Sequence, residues 1–131
     1  LESQVRLWIK AYQIEDVTEI LINPGNIAQL EYNSDIYLST SLFEGTSNSI
    51  MEGMNANLPI VCTDVGDNNC LVNEGVNGYL CKIGDVQALA LRLKKLIEEP
   101  KLREAMGQKS KEMLTEKFGV DVFRNRYLKL I

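Results

Sequence analysis

Residues 35–64 read DIYLSTSLFEGTSNSIMEGMNANLPIVCTD, and their pattern decides the fold. The run DIYLST (35–40) has the apolar and β-branched content of a strand. Gly45 and a set of small polar residues follow, and residues 48–56 then carry a helical pattern. Asn57 stands where a helix ends in the left-handed conformation, and Pro59 two residues later cannot continue a helix. PIVCTD (59–64) reads as a second strand. Strands alternating with a helix are the signature of an α/β domain with a mostly parallel sheet, which this stretch predicts.

The pattern extends in both directions. Upstream, residues 2–13 predict a helix, VTEILI (17–22) a strand, Asn23-Pro24-Gly25-Asn26 a turn, and residues 26–33 a short helix. Downstream, residues 67–74 predict a short helix ending at Gly75, and GYLCK (78–82) another strand. The last third is helical. Val86, Leu89, Leu93, Leu96 and Ile97 recur at helical spacing over 85–98, and Pro100 ends that helix or opens the next. Leu102, Met106, Met113 and Leu114 mark a second helix, Gly119 breaks it, and Phe123, Tyr127 and Leu130 mark a third. The expected organisation is one domain, 1–131, with a helical tail over 85–131.

Composition narrows the chemistry. The chain is 45% hydrophobic and 24% charged, a globular balance with no apolar run long enough to span a membrane. Residues 1–30 show no basic start followed by an apolar core, so no signal peptide is expected there. It has no histidine. A Ser-His-Asp triad, a Cys-His pair and a His-containing zinc site within the chain are thereby excluded. Cys62, Cys70 and Cys81 fit no metal-binding spacing and are odd in number. With Cys62 in an apolar run, they read as reduced thiols in a cytosolic compartment.

Charge is uneven. Residues 1–84 hold eleven acidic and only three basic residues (Arg6, Lys10, Lys82), a net charge of −8. Residues 85–131 hold eleven basic and seven acidic residues, net +4. The first part is a poor nucleic-acid surface. The tail is a solvated helical face or, through Lys94, Lys95, Lys101 and Arg103, a peripheral contact with an anionic membrane.

Ligands of open α/β sheets bind beyond the carboxyl ends of the strands, where loops meet helix N-termini. That place is Gly45-Thr46-Ser47-Asn48-Ser49. Gly45 admits a ligand to the backbone, and the free N–H groups and dipole of the following helix favour an anion, with phosphate the natural guest. Glu44 and Glu52 flank the loop, and their carboxylates suit sugar hydroxyls. Spacing alone carries no weight, because twelve glutamates give roughly one such pair by chance and Glu104 with Glu112 repeats it. Glu52 also has a structural reading, as the third residue of a capping box opened by Ser49. Local chemistry leaves both open for Glu52, whereas Glu44, in a loop at the functional edge, reads as a site residue.

The run Ser41-x-Phe43-Glu44-Gly45-x-x-Asn48-x-x-x-Glu52-Gly53-Met54-x-x-x-x-Pro59-Ile60-Val61-x-Thr63-Asp64-x-Gly66 resembles the E-x7-E region of retaining GT-B glycosyltransferases, family four above all. The likeness continues through Leu71-Val72-x-Glu74-Gly75-Val76-Asn77-Gly78-Tyr79-Leu80 and Gly84-Asp85. It implies a Rossmann-like parallel sheet flanked by helices, the C-terminal half of a GT-B fold that binds a nucleotide-sugar donor. Transfer of a hexose-type sugar to a glycan or lipid-linked acceptor follows from the same likeness. The first glutamate, here Glu44, would contact the donor sugar and be the catalytic position, and the second, Glu52, the ribose. Gly45, Thr46, Ser47, Asn48, Ser49 and Ile50 would lie along the diphosphate. The donor is then the substrate, with no separate cofactor and no bound metal.

The sequence departs from the family at three places within the motif region: Gly53 replaces the usual Ala, Asn57 a frequent Gly, and Cys70 a frequent Glu. The family's opening strand-helix-strand unit, with its phosphate-binding Arg and Lys, is not found. The expectation is an N-terminally truncated domain whose acceptor-binding partner domain is missing, inactive as a transferase alone. Two other classes remain open on the residues: a flavodoxin-like signalling module with Asp64 as phosphate acceptor, and a non-catalytic nucleotide-binding protein.

Overall fold

A computed structural model describes residues 1–129. The chain runs α1 (Glu2–Ala11), a 3-10 turn (Glu15–Val17), α2 (Ile27–Tyr32), β1 (Tyr37–Ser39), α3 (Asn48–Asn55), β2 (Ile60–Thr63), α4 (Asn68–Leu71), β3 (Gly78–Cys81), α5 (Val86–Glu98), α6 (Pro100–Phe118) and α7 (Val120–Leu128). The sheet is parallel in the order β1-β2-β3, with Leu38 opposite Val61 and Val61 opposite Tyr79. Leu130 and the side chain of Phe123 lie outside the described residues.

β2 is buried along its whole length because it is the central strand and has a helical layer on each face. Ile60 and Cys62 face Ile50 and Met54 of α3, Leu71, Val72 and Met113 of α6. Val61 faces the other way, with Tyr79, Leu96 of α5 and Met106 of α6. The period of two in the strand therefore divides the core into two clusters, and α6 contributes to both. Burial pushes the Cys62 thiol up to about 12, with smaller contributions from Cys81 and Asp64.

Two close backbone approaches explain glycines. A Cβ at Gly78 would overlap the Ile60 carbonyl, so β3 enters the sheet there only as glycine. Asn77 prepares that entry: its buried amide donates to the Leu71 carbonyl (3.0 Å) and accepts from the Asn73 N–H (2.7 Å). At the crossing of α6 on α3, a Cβ at Gly107 would overlap the Asn57 carbonyl.

The helix ends are built by side chains. Asp85 accepts from the Ala88 N–H at 2.9 Å and opens α5. Pro100 begins α6. Asn57 has φ of 59° and follows the end of α3, where the Asn57 and Leu58 amides donate to the Met54 and Gly53 carbonyls at 3.2 and 3.1 Å. The start of α3 differs from the expected capping box. Ser47, not Ser49, is the cap, accepting from the Ile50 N–H at 3.3 Å. The helix begins two residues earlier than the box requires, so Glu52 lies past the third position and does not reach back to cap it.

The strand expected at 17–22 is absent. Val17 closes the 3-10 turn and residues 18–22 join no ladder. Apolar content marks these residues, but a strand exists only with a hydrogen-bonding neighbour, and among the described residues β1 pairs with β2 alone. The helix expected over 67–74 is also shorter, because Val72 is already extended.

Two substitutions test this packing. Gly107→Ala is expected to lower stability by roughly 1–3 kcal/mol, since overpacking against α3 outweighs the ~1 kcal/mol that helix propensity favours. Ser47→Ala is expected to cost ~1 kcal/mol through the lost cap. Urea unfolding of each variant measures both, and a stabilised Gly107→Ala would contradict the close crossing.

Candidate functional site

The carboxyl ends of β1 and β2 open into two loops, 40–47 and 64–67, that are held together by side-chain hydrogen bonds and one close backbone approach. The Thr63 hydroxyl donates to the Ser41 carbonyl at 2.6 Å, and the Thr46 hydroxyl to Asp67 at 2.9 Å. Gly66, at φ of 52°, packs so closely that a Cβ would overlap the Glu44 carbonyl oxygen. The first loop is thus fixed against the second, and α3 leaves it with its N-terminus facing the sheet's upper edge.

Each expected site residue has a definite place. Glu44 is half-buried in the first loop, where the Ser41 hydroxyl donates to its Oε1 at 2.6 Å. Gly45 is exposed, with open space where a Cβ would be. Thr46 is exposed, but its hydroxyl is committed to Asp67. Ser47 is buried and caps α3. Asn48 and Ser49 are exposed, and their N–H groups precede the first turn-closing bond, from the Met51 N–H to the Ser47 carbonyl. Ile50 is fully buried in the core and its N–H is taken by Ser47, so its side chain is packing.

Glu52 is exposed on α3 and lines a cleft of about 260 Å³ with Glu31, Tyr32, Asn55 and Lys111. Burial raises the Glu31 carboxyl, and the charge of Glu52 raises it further. Lys111 does not neutralise the pair directly; its ammonium donates to the Asn55 carbonyl at 3.0 Å. The Tyr37 phenol stands among these groups. Burial raises it most, a hydrogen bond from Ser49 lowers it, and the charges of Glu31, Glu52 and Glu44 raise it again. Glu31 and Glu52 thus share one cleft, and sequence reasoning missed both Glu31 and Tyr37, on which the charges of Glu31, Glu52 and Glu44 act. The unusual Gly53 was the available signal for Tyr37, whose ring occupies the space that a Cβ at 53 would need.

The first N–H groups and dipole of α3 suit an anion, and the Glu44 and Glu52 carboxylates, before and after them in the chain, can accept hydroxyl hydrogens. Asp64 is exposed at the end of β2, and among the described residues no three His, Cys, Asp or Glu side chains cluster as a metal site. Of the basic tail residues, Arg103 turns inward, donating to the Leu96 and Ile97 carbonyls at 2.9 and 3.3 Å. Lys94 lies 3.8 Å from Glu98. Among the described residues no helix is long and apolar enough to cross a membrane.

The chain is similar to known proteins. N-acetyl-alpha-D-glucosaminyl L-malate synthase of Bacillus anthracis is 29% identical over 119 residues, which is 91% of this chain and 31% of that protein. The UDP-Gal:alpha-D-GlcNAc-diphosphoundecaprenol alpha-1,3-galactosyltransferase of Escherichia coli is 24% identical over 102 residues, 75% of this chain and 26% of that one. Among solved structures, Anabaena HepE in complex with UDP superposes with a TM-score of 0.91 at 24% identity, covering 98% of this chain and 35% of that one. Its complex with UDP-glucose gives 0.88. The chain thus spans about a third or less of these relatives, and its fold is that of GT-B glycosyltransferases. Residues 1–113 match the family of glycosyl transferases group 1, and the chain belongs to that family.

Proposed function

We propose that this chain is the donor-binding part of a retaining glycosyltransferase that moves a hexose-type sugar from a nucleoside diphosphate to a glycan or lipid-linked acceptor. The observation that carries the reading is the start of α3, where Asn48 and Ser49 are exposed and their N–H groups precede the first turn-closing bond, with Glu44 in the loop before them and Glu52 on the helix after them. The diphosphate rests on these amides beside Gly45. As the bond from sugar to diphosphate breaks, negative charge grows on the leaving group, and oriented amides and the helix dipole stabilise it. Backbone donors carry this load because the first 84 residues hold only three basic side chains. Glu52 accepts from the ribose hydroxyls. Glu44, with Oε1 already held by Ser41, offers its other oxygen to the donor sugar and is the catalytic position. The UDP complexes of HepE and the undecaprenol-linked acceptor in the name of the E. coli relative support donor and acceptor classes of this kind.

The domain reading belongs to the same proposal. β1 has one strand neighbour among the described residues. An apolar groove of about 480 Å³ is lined by Leu38 of β1, Leu42, Thr63 of β2 and Val86, Leu89 and Leu93 of α5. The free side of β1 is where a further strand would pair in a domain that continues before α1 and joins an acceptor-binding domain. A peripheral membrane contact would use Lys94, Lys95 and Lys101, since Arg103 caps α5.

Calorimetry with UDP, GDP, ADP and CMP tests the donor site. One nucleotide is expected to bind, and Glu52→Ala to weaken it by roughly tenfold, the loss of a charged hydrogen bond; unchanged binding would remove Glu52 from the site. The 131-residue chain alone is expected to transfer no sugar, and measurable transfer would overturn the divided-site reading. Co-sedimentation with liposomes should rise with anionic lipid, and indifference to lipid charge would exclude the membrane contact.

A further inference from the structure

The Glu44 side chain ends a line of hydrogen bonds that starts outside its own loop. Asn68 of α4 is fully buried, and its amide donates to the Thr63 carbonyl at 2.9 Å. Thr63, at the carboxyl end of β2, is 2% exposed, and its hydroxyl donates to the Ser41 carbonyl at 2.6 Å. Ser41 is half-buried just beyond β1, and its hydroxyl donates to Oε1 of Glu44 at 2.6 Å. The hydroxyl of Ser39, the last residue of β1, lies 3.3 Å from that of Ser41. A serine has one hydroxyl hydrogen, and an ionised carboxylate can only accept. The Ser41 hydrogen therefore goes to Glu44, and Ser39 is the donor to Ser41. Each link polarises the next, which strengthens the bond that ends on the carboxylate.

We propose that Thr63 and Ser41 are positioning residues for the donor sugar: Thr63 fixes the Ser41 backbone, and Ser41 fixes the Glu44 carboxylate so that its second oxygen meets a sugar hydroxyl. The inference rests on the reading of Glu44 as the residue that contacts the sugar, while the line of hydrogen bonds stands without any ligand. Ser41 is the joint, since its carbonyl and its hydroxyl serve different neighbours. Thr63 also lines the apolar groove with Leu38, Leu42 and Leu89. A residue that only filled that place would be served as well by valine, which has the same shape and no hydroxyl. The Asn48 and Ser49 amides, where the diphosphate is placed, are set by a different contact, the Ser47 cap of α3. Sugar and diphosphate are therefore separable.

Titration of the 131-residue chain with UDP and with UDP-glucose tests this, and Glu44→Ala measures what the sugar contact contributes to the ratio of the two affinities. Thr63→Val and Ser41→Ala are each expected to lower UDP-glucose affinity by roughly three- to tenfold, the worth of one net hydrogen bond, with UDP affinity unchanged. Valine suits a buried strand, and Ser41→Ala cuts the same line without touching β2. Thr63→Ser keeps the hydroxyl and is expected to behave as the parent. The double variant should be no weaker than the weaker single one, because both cut one line. Without ligand, three-bond couplings across χ1 of Glu44 are expected to report one rotamer in the parent and Thr63→Ser, and averaging in Thr63→Val and Ser41→Ala. A role confined to stability would lower the thermal midpoint and leave ratio and couplings as in the parent. A parent-like ratio in Thr63→Val, where Glu44→Ala has lowered it, would overturn the proposal, as would additive losses in the double variant. If Glu44→Ala leaves the ratio unchanged, or the parent takes up neither nucleotide, the sugar-contact reading of Glu44 fails on its own. The couplings alone then decide whether Thr63 and Ser41 hold its side chain.

Discussion

The backbone contact between Gly66 and Glu44 organises the upper edge of this sheet. A side chain at 66 would overlap the Glu44 carbonyl, so the loop after β2 closes directly on the loop after β1. That approach, with the Thr63 bond to Ser41 and the Thr46 bond to Asp67, sets where Glu44 stands and the angle at which α3 departs. Because β1 and β2 are parallel and joined through a short helix, both loops open on the same edge. The candidate site is therefore a consequence of strand order and of the contacts that close one loop on the other.

Electrostatics follow from the same construction. The first 84 residues are strongly acidic, and a diphosphate would meet repulsion there if side-chain charge were the only means of holding it. Amides at a helix start avoid that conflict, since they are fixed partial charges aligned by the fold. The acidic side chains then have a distinct use, as acceptors for hydroxyl groups. The basic residues of the tail are largely engaged in local structure: Arg103 caps α5, Lys111 reaches the end of α3, and Arg92 lies 4.5 Å over the Tyr79 ring while pairing with Glu74 at 2.8 Å.

The three strands and the helices between them were legible because each carried its own local punctuation. Asn57 and Pro59 ended α3, Asp85 opened α5, Pro100 opened α6, and Gly119 separated α6 from α7. Residues 17–22 misled because apolar content is local while strand pairing is not; among the described residues no strand pairs with them. The cap of α3 was misplaced because Ser47 and Ser49 are equally good caps by type, and only the path of the preceding loop chooses between them. Glu44 and Glu52 were visible as a motif. Tyr37 was not, since a tyrosine in a strand is ordinary until the missing Cβ opposite it is seen.

The central claim is that the start of α3, between Glu44 and Glu52, receives the nucleoside diphosphate. Backbone amide shifts of the isotope-labelled chain, followed while UDP is titrated, test it residue by residue even at weak affinity. The account predicts that saturable shifts concentrate at Gly45, Asn48, Ser49 and Glu52 and are small along α5 and α6. Saturable shifts that map instead to the tail helices, leaving 45–52 unmoved, would contradict it.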